Sequence, residues 1–114
     1  MPSRKATNYK VVTAIVRRSR LNEVEERLKR EGVRGITVAP VKGYGEYANY
    51  FGRDLLVPHV RVEVVVVAGA AGAVAEAIAD EAHTGQEGDG LVLVSPLEMV
   101  TRIRTRTRAT KDDL

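Results

Sequence analysis

An α+β sandwich of the ferredoxin-like βαββαβ type is the fold the sequence predicts, and three observations predict it. Two runs rich in β-branched residues, 9–16 (Tyr-Lys-Val-Val-Thr-Ala-Ile-Val) and 60–67 (Val-Arg-Val-Glu-Val-Val-Val-Val), each lead into a stretch of helical periodicity. Each helical stretch leads into a further short apolar run, at 36–41 and 91–94. The order strand, helix, strand, loop, strand, helix, strand is therefore a weak repeat of two β-α-β halves, which is the ferredoxin-like pattern.

Taken in order, the first strand enters a helix for which Ser19 is a candidate N-cap, with Glu23 and Glu25 near the first turn. Leu21, Val24 and Leu28 recur at i, i+3 and i+7 as one apolar stripe, and Gly32 ends the helix. The second strand, 36–41, contains Pro40, which lacks a donor for the ladder and so predicts an edge position or a bulge. From 43 to 58 the pattern gives way to glycines, tyrosines and charges, a long connection of the kind that tends to carry function.

The third strand, 60–67, is the strongest β signal. Residues 69–72 break it, and a helix over 73–82 turns Val74, Ala77 and Ile78 inward and Glu76, Asp80 and Glu81 outward. A fourth strand spans 91–94, Ser95-Pro96 turns the chain, and 99–104 forms a short last strand before a frayed tail at about 105–114. In such a fold both helices cover one sheet face. At least two of Val62, Val64, Val65, Val66 and Val67 then face away from them, so the other face needs covering and an oligomer is expected.

The chain has 114 residues, room for a single domain (1–114) that buries roughly two thirds of its unfolded surface. Apolar residues are 44% and aromatic residues only 4%, so Val, Ile, Leu and Ala must build the core. Cysteine is absent, which excludes disulfides, thiolate catalysis and zinc-thiolate sites. No apolar run approaches the ~20 residues that span a bilayer, and a cytoplasmic location is expected. The net charge of +3 suits acidic ligands or a polar partner surface.

The stretch with most chemistry is 84–91, Thr-Gly-Gln-Glu-Gly-Asp-Gly-Leu. Gly85, Gly88 and Gly90 permit positive φ and leave no Cβ in the way, so several N–H groups can converge on one anion. Gly-Asp-Gly before a strand is also ordinary turn chemistry, and the loop taken alone favours that plain turn. A second glycine loop, Lys42-Gly43-Tyr44-Gly45, and a basic strand, Thr101-Arg102-Ile103-Arg104, are the elements that could close with it around one ligand.

With the strands placed, the chain resembles the PII signal-transduction family of nitrogen-regulatory proteins over nearly its whole length. The matching segments are Ala14-Ile15-Val16-Arg17, Gly35-Ile36-Thr37-Val38, Val41-Lys42-Gly43-Tyr44-Gly45, Val60-Arg61-Val62-Glu63-Val64-Val65, Thr84-Gly85 with Gly88-Asp89-Gly90, and Arg102-Ile103-Arg104-Thr105. The resemblance implies a homotrimer with ATP or ADP in clefts between neighbours. Thr84, Gly85, Gly88, Asp89 and Gly90 would cradle phosphates. Thr37, Gly43, Tyr44 and Gly45 would line the adenosine side, and Arg102 and Arg104 would arrive from the adjacent subunit. An effector loop at about 45–59, with Glu46, Tyr47, Asn49, Tyr50 and Arg53, would dock on a protein target, a membrane transporter or an enzyme.

The chain also departs from that family. It has Glu46-Tyr47 where the nitrogen-sensing members have a glutamine that helps hold magnesium and 2-oxoglutarate. It has Leu91 and His59 where they have phosphate-contacting lysines, which predicts weaker binding of ATP than of ADP or AMP because the γ-phosphate carries the most charge. The shorter effector loop and its Pro58-His59 end look like the PII-like branch associated with carboxysomes and bicarbonate uptake, which makes bicarbonate a candidate second ligand.

Alternatives of other kinds are weaker. A nitrogen-regulatory protein sensing ATP and 2-oxoglutarate conflicts with Glu46-Tyr47. An enzyme lacks a nucleophile with an evident base, and His59 and His83 read as surface groups. A nucleic-acid-binding module of the same fold would stack bases on sheet aromatics, and these strands carry almost none. No cluster of metal ligands is evident in the sequence.

Overall fold

The computed structural model describes residues 8–42 and 58–110. Its elements run β1 (Tyr9–Arg17), α1 (Leu21–Arg30), β2 (Thr37–Val41), β3 (His59–Val67), α2 (Ala71–Ala82), β4 (Gly90–Leu97), β5 (Thr101–Arg102) and β6 (Thr107–Arg108). The first four strands form one antiparallel sheet in the order β2-β3-β1-β4, and β5 and β6 form a separate hairpin. This is the ferredoxin-like arrangement, an α+β fold with both helices on one face of the sheet.

Period-two alternation decides the faces. Val12, Ala14 and Val16 of β1 lie opposite Val64, Val62 and Val60 of β3, and all six are buried with Val24 and Leu28 of α1 and Val74 and Ile78 of α2. The other face carries Val11 and Ile15, Val65 and Val67, and Leu91 and Leu93, with no helix of the described residues over it. Leu93 is 54% exposed there. The valines expected to face away from the helices are Val65 and Val67.

Local chemistry sets the helix ends, not always as expected. Ser19 is not an N-cap: it sits within a 3-10 turn over Arg18–Arg20, and Arg20 occupies the cap position without a side-chain cap bond. At the other end Gly32, at φ 89, donates to the Lys29 carbonyl and Val33 donates to that of Leu28, the paired bonds of a Schellman motif. Helix α2 starts at Ala71, so Gly72 lies inside it and the break after β3 shrinks to one 3-10 turn over Ala68–Ala70. Glu81 is not an outward face residue. It is bonded by Arg27 at 3.0 Å, while Arg20 donates to its backbone carbonyl at 2.7 Å and so satisfies a group in the last turn of α2.

Three further boundaries moved. β4 runs straight through Ser95 and Pro96 to Leu97, because β4 is an edge strand and a proline there need not break a ladder bond. Pro40 likewise sits in the other edge strand, β2, as expected. The strand expected over 99–104 shortens to β5, and the chain turns back into β6 where fraying was expected, with Ala109 buried and its amide bonded to the Val100 carbonyl.

Leu28 is 1% exposed in the cluster that joins α1 to the sheet. Leu28→Ala should destabilise the protein by about 2–5 kcal/mol, read as a lower urea midpoint with an unchanged slope.

Candidate functional site

Register brings several elements to one end of the sheet. Val41 of β2 lies opposite His59 of β3, His59 opposite Arg17 of β1, and Val16 of β1 opposite Gly90 of β4. Residues 84–89 therefore hang over the same sheet end at which β2 runs out through Lys42 toward Gly43 and β3 begins after Pro58.

The loop is built around the carboxylate of Asp89. Its Oδ2 accepts from the backbone N–H groups of Thr84 (2.8 Å) and Gly85 (2.9 Å), and its Oδ1 accepts from the Thr84 hydroxyl and from Arg17 Nε (3.1 Å). Burial works against the charged form of this group. The hydrogen bonds from the Thr84 hydroxyl, the Thr84 and Gly85 amides and Arg17 outweigh it, and the carboxyl is held well below the usual carboxylate range. Thus two of the amides expected to receive an external anion already hold one supplied by the chain. The Thr84 oxygen also accepts from the Gln86 amide at 3.2 Å, tightening the same ring.

The next peptide units are held from outside the loop. Arg17 Nη2 donates to the Glu87 carbonyl at 2.6 Å, and His59 Nε2 lies 2.6 Å from the Gly88 carbonyl. A carbonyl only accepts, so Nε2 carries the proton. His59 is 3% exposed, contrary to its reading as a surface group, because the loop lies over it. His83 does lie at the surface, with Nδ1 3.9 Å from Asp89 Oδ2.

The glycines answer to geometry. The chain turns at Glu87–Gly88, and φ at Gly88 is 90, a value that the third residue of a type II turn takes and glycine supplies. At Gly90, φ is 108 and an added Cβ would lie 1.8 Å from the Ile15 carbonyl oxygen, so no side chain fits. A cleft of about 290 Å³ opens beside the loop, between Ala79, Ala82 and His83 at the end of α2 and Leu91 and Val92 of β4. That is at the lower limit of clefts that enclose a small-molecule ligand.

The remaining expected residues fall elsewhere. Thr37 starts β2, opposite Glu63 in the middle of β3. Arg102 and Arg104 are reached only after β4 has carried the chain from Gly90 to Leu97 at the far sheet end, on the order of 24 Å at the usual strand rise. One copy thus does not bring the arginine hairpin and the loop to the same sheet end. Gly43, Tyr44, Gly45, Glu46, Tyr47, Asn49, Tyr50 and Arg53 lie outside the described residues. Among the described residues no group of three potential metal ligands occurs, and no helix is long and apolar enough to cross a membrane.

Against this geometry the comparisons with known proteins are informative. The family profile described as Nitrogen regulatory protein P-II matches residues 9–107. The chain belongs to the P-II family. Curated P-II relatives include the nitrogen regulatory proteins P-II of Azospirillum brasilense, 41% identical, and of Rhizobium meliloti, 44% identical. Each alignment covers 84% of this chain and 92% of the relative. Among solved structures, Arabidopsis thaliana PII bound to citrate superposes with a TM-score of 0.77 at 37% identity, covering 92% of each chain. The P-II match spans Arg17, His59 and the whole of 84–90, and the sequence reading of this P-II chain missed the roles of the first two. Arg17 lay in a matched segment without an assigned part, and His59 flanked one.

The Asp89 carboxyl is more acidic folded than unfolded, so its stabilisation is complete above its ordinary pKa and fades as pH falls below about 4. Asp89→Asn should cost about 2 kcal/mol at pH 7 and progressively less in acid, which urea unfolding from pH 7 to pH 3 checks.

Proposed function

We propose that this P-II family member is a non-catalytic signal-transduction protein that binds an adenine nucleotide, ADP, AMP or ATP, at subunit boundaries of a homotrimer. It would regulate a protein target, a membrane transporter or an enzyme, through an effector loop at about 45–59 of the single domain 1–114, in the cytoplasm. The observation that carries this reading is the caged glycine loop, whose Glu87 and Gly88 carbonyls are drawn inward by Arg17 and His59. The two ends of a trans peptide point oppositely, so the Gly88 N–H points away from Arg17, at a positive-φ glycine of the kind that backbone sites for anions use.

Two facts support a site shared between copies. The cleft beside the loop is small for a nucleotide, and Arg102 and Arg104 lie at the other end of the sheet, so a neighbouring copy has to supply the guanidinium groups. Guanidinium suits that role because it forms directional, charge-assisted bonds to phosphate. The uncovered sheet face with Leu91 and Leu93 gives the copies an apolar surface to join through.

The ligand's charge is the finer question. Leu91 is apolar, and His59 Nε2 is engaged with the Gly88 carbonyl, so neither offers a third phosphate the ammonium group that a lysine would. This favours ADP or AMP over ATP, while bicarbonate as second ligand and a link to carboxysomes or bicarbonate uptake rest on the sequence of the loop at about 45–59. The nitrogen-sensing reading, ATP with 2-oxoglutarate, is favoured instead by the nitrogen-regulatory relatives.

Calorimetric titration with ADP, AMP and ATP, each with and without bicarbonate or 2-oxoglutarate, separates the two. ADP should bind more tightly than ATP, by about tenfold if one charged hydrogen bond is missing, and light scattering should give the mass of a trimer. Tighter binding of ATP in the presence of 2-oxoglutarate would support the nitrogen-sensing reading, and no binding of any nucleotide at millimolar concentration would reject both.

A further inference from the structure

Arg17 and His59 are direct partners in the β1–β3 register, and each reaches into the same turn. Arg17 holds the Glu87 carbonyl and the Asp89 carboxylate, and His59 holds the Gly88 carbonyl. Three successive loop residues are thereby fastened to one rung of the sheet. Arg17 has 13% side-chain exposure and His59 is 3% exposed overall, and the His59–Gly88 bond is buried, sheltered from competing water.

We propose that Arg17 and His59 act as a cross-strand pair of positioning residues that fix the Glu87–Gly88 turn so that the Gly88 amide faces the ligand side. Neither side chain touches the ligand in this arrangement. They act through the backbone: with the Glu87 carbonyl held by Arg17, the planar trans unit 87–88 points its N–H away from the guanidinium. That amide has no acceptor among the described residues. Gly88, at φ 90, has the conformational freedom to swing this peptide over if the two holds are removed. The Asp89 bonds alone do not prevent it, because they are made to Thr84 and Gly85 and none is made to an atom of the 87–88 unit.

The pair also links two parts of the chain. Pro58, directly before His59, accepts at its carbonyl from the Arg18 amide at 2.9 Å, so the start of β3 and the end of β1 are tied at the rung that holds the turn.

The nucleotide part of the test rests on the function proposed above, and a second part does not. His59→Phe keeps the ring volume without the donor, and His59→Gln returns an amide donor near the position of Nε2. ADP titration should show an affinity about tenfold weaker in H59F and in Arg17→Met, and recovery to within about threefold of the parent in H59Q. Unchanged ADP affinity in H59F would overturn the proposal, and so would a loss in H59Q equal to that in H59F.

Nitrogen-15 spectra of the ligand-free protein supply the independent readout. The His59 ring should carry its proton on Nε2. The amide signals of Gly85, Gly88 and Gly90 should move in H59F and return in H59Q. A neutral ring protonated only on Nδ1, or glycine signals that do not move in H59F, would overturn the proposal even if ADP binds. Should the parent protein bind no ADP, the nucleotide reading fails and these spectra alone decide whether the pair positions the turn.

Discussion

The carboxylate of Asp89 organises everything around it. A loop with left-handed glycines at 85, 88 and 90 gives up more conformational entropy on folding than almost any other six-residue stretch. What offsets that cost is a set of four hydrogen bonds to one charged group, two from backbone amides, one from a hydroxyl and one from a guanidinium. Bonds to charge are the stronger kind, and these converge on a carboxylate that is already partly desolvated. The protein has placed an anion of its own where a glycine loop is usually read as waiting for one.

That internal anion makes sense only on this sheet. Arg17 comes at the end of β1, one residue beyond Val16, which is fixed in the core, and Gly90 packs so closely on Ile15 that the loop has one way to enter β4. The alternation that buries Val12, Ala14 and Val16 turns Arg17 to the opposite side, toward the loop. Hydrophobic patterning and loop chemistry are consecutive steps of one constraint. Slipping β1 by one residue would send its valines to the wrong face and pull the guanidinium from Asp89.

Much of this could be read from the residues. The β-branched runs, the Leu21, Val24 and Leu28 stripe, the stop at Gly32 and the edge position of Pro40 follow from periodicity and backbone sterics, which act locally. What escaped depends on tertiary partners. Ser19 loses its cap role because a 3-10 turn comes first, and Gly72 is tolerated in α2 because that helix is held by Val74 and Ile78. Pro96 stays in a strand because, among the described residues, no strand pairs with β4 on its outer side. The greatest change concerns His59. Alternation with Arg61 and Glu63 sends it to a polar face, and a loop 29 residues further on bonds to it there. The glycine loop itself was visible, but not that Asp89 would fill part of it.

The two outer strands of the main sheet, β2 and β4, each contain one proline, Pro40 and Pro96. A foreign strand that tried to zip onto either side would find a donor missing one residue before the strand's end and a ring in its path. A valine-rich sheet of this kind, with an uncovered face, is a natural template for uncontrolled growth into aggregates. With both margins blunted in this way, edge-to-edge growth is disfavoured while the apolar face stays open to a partner.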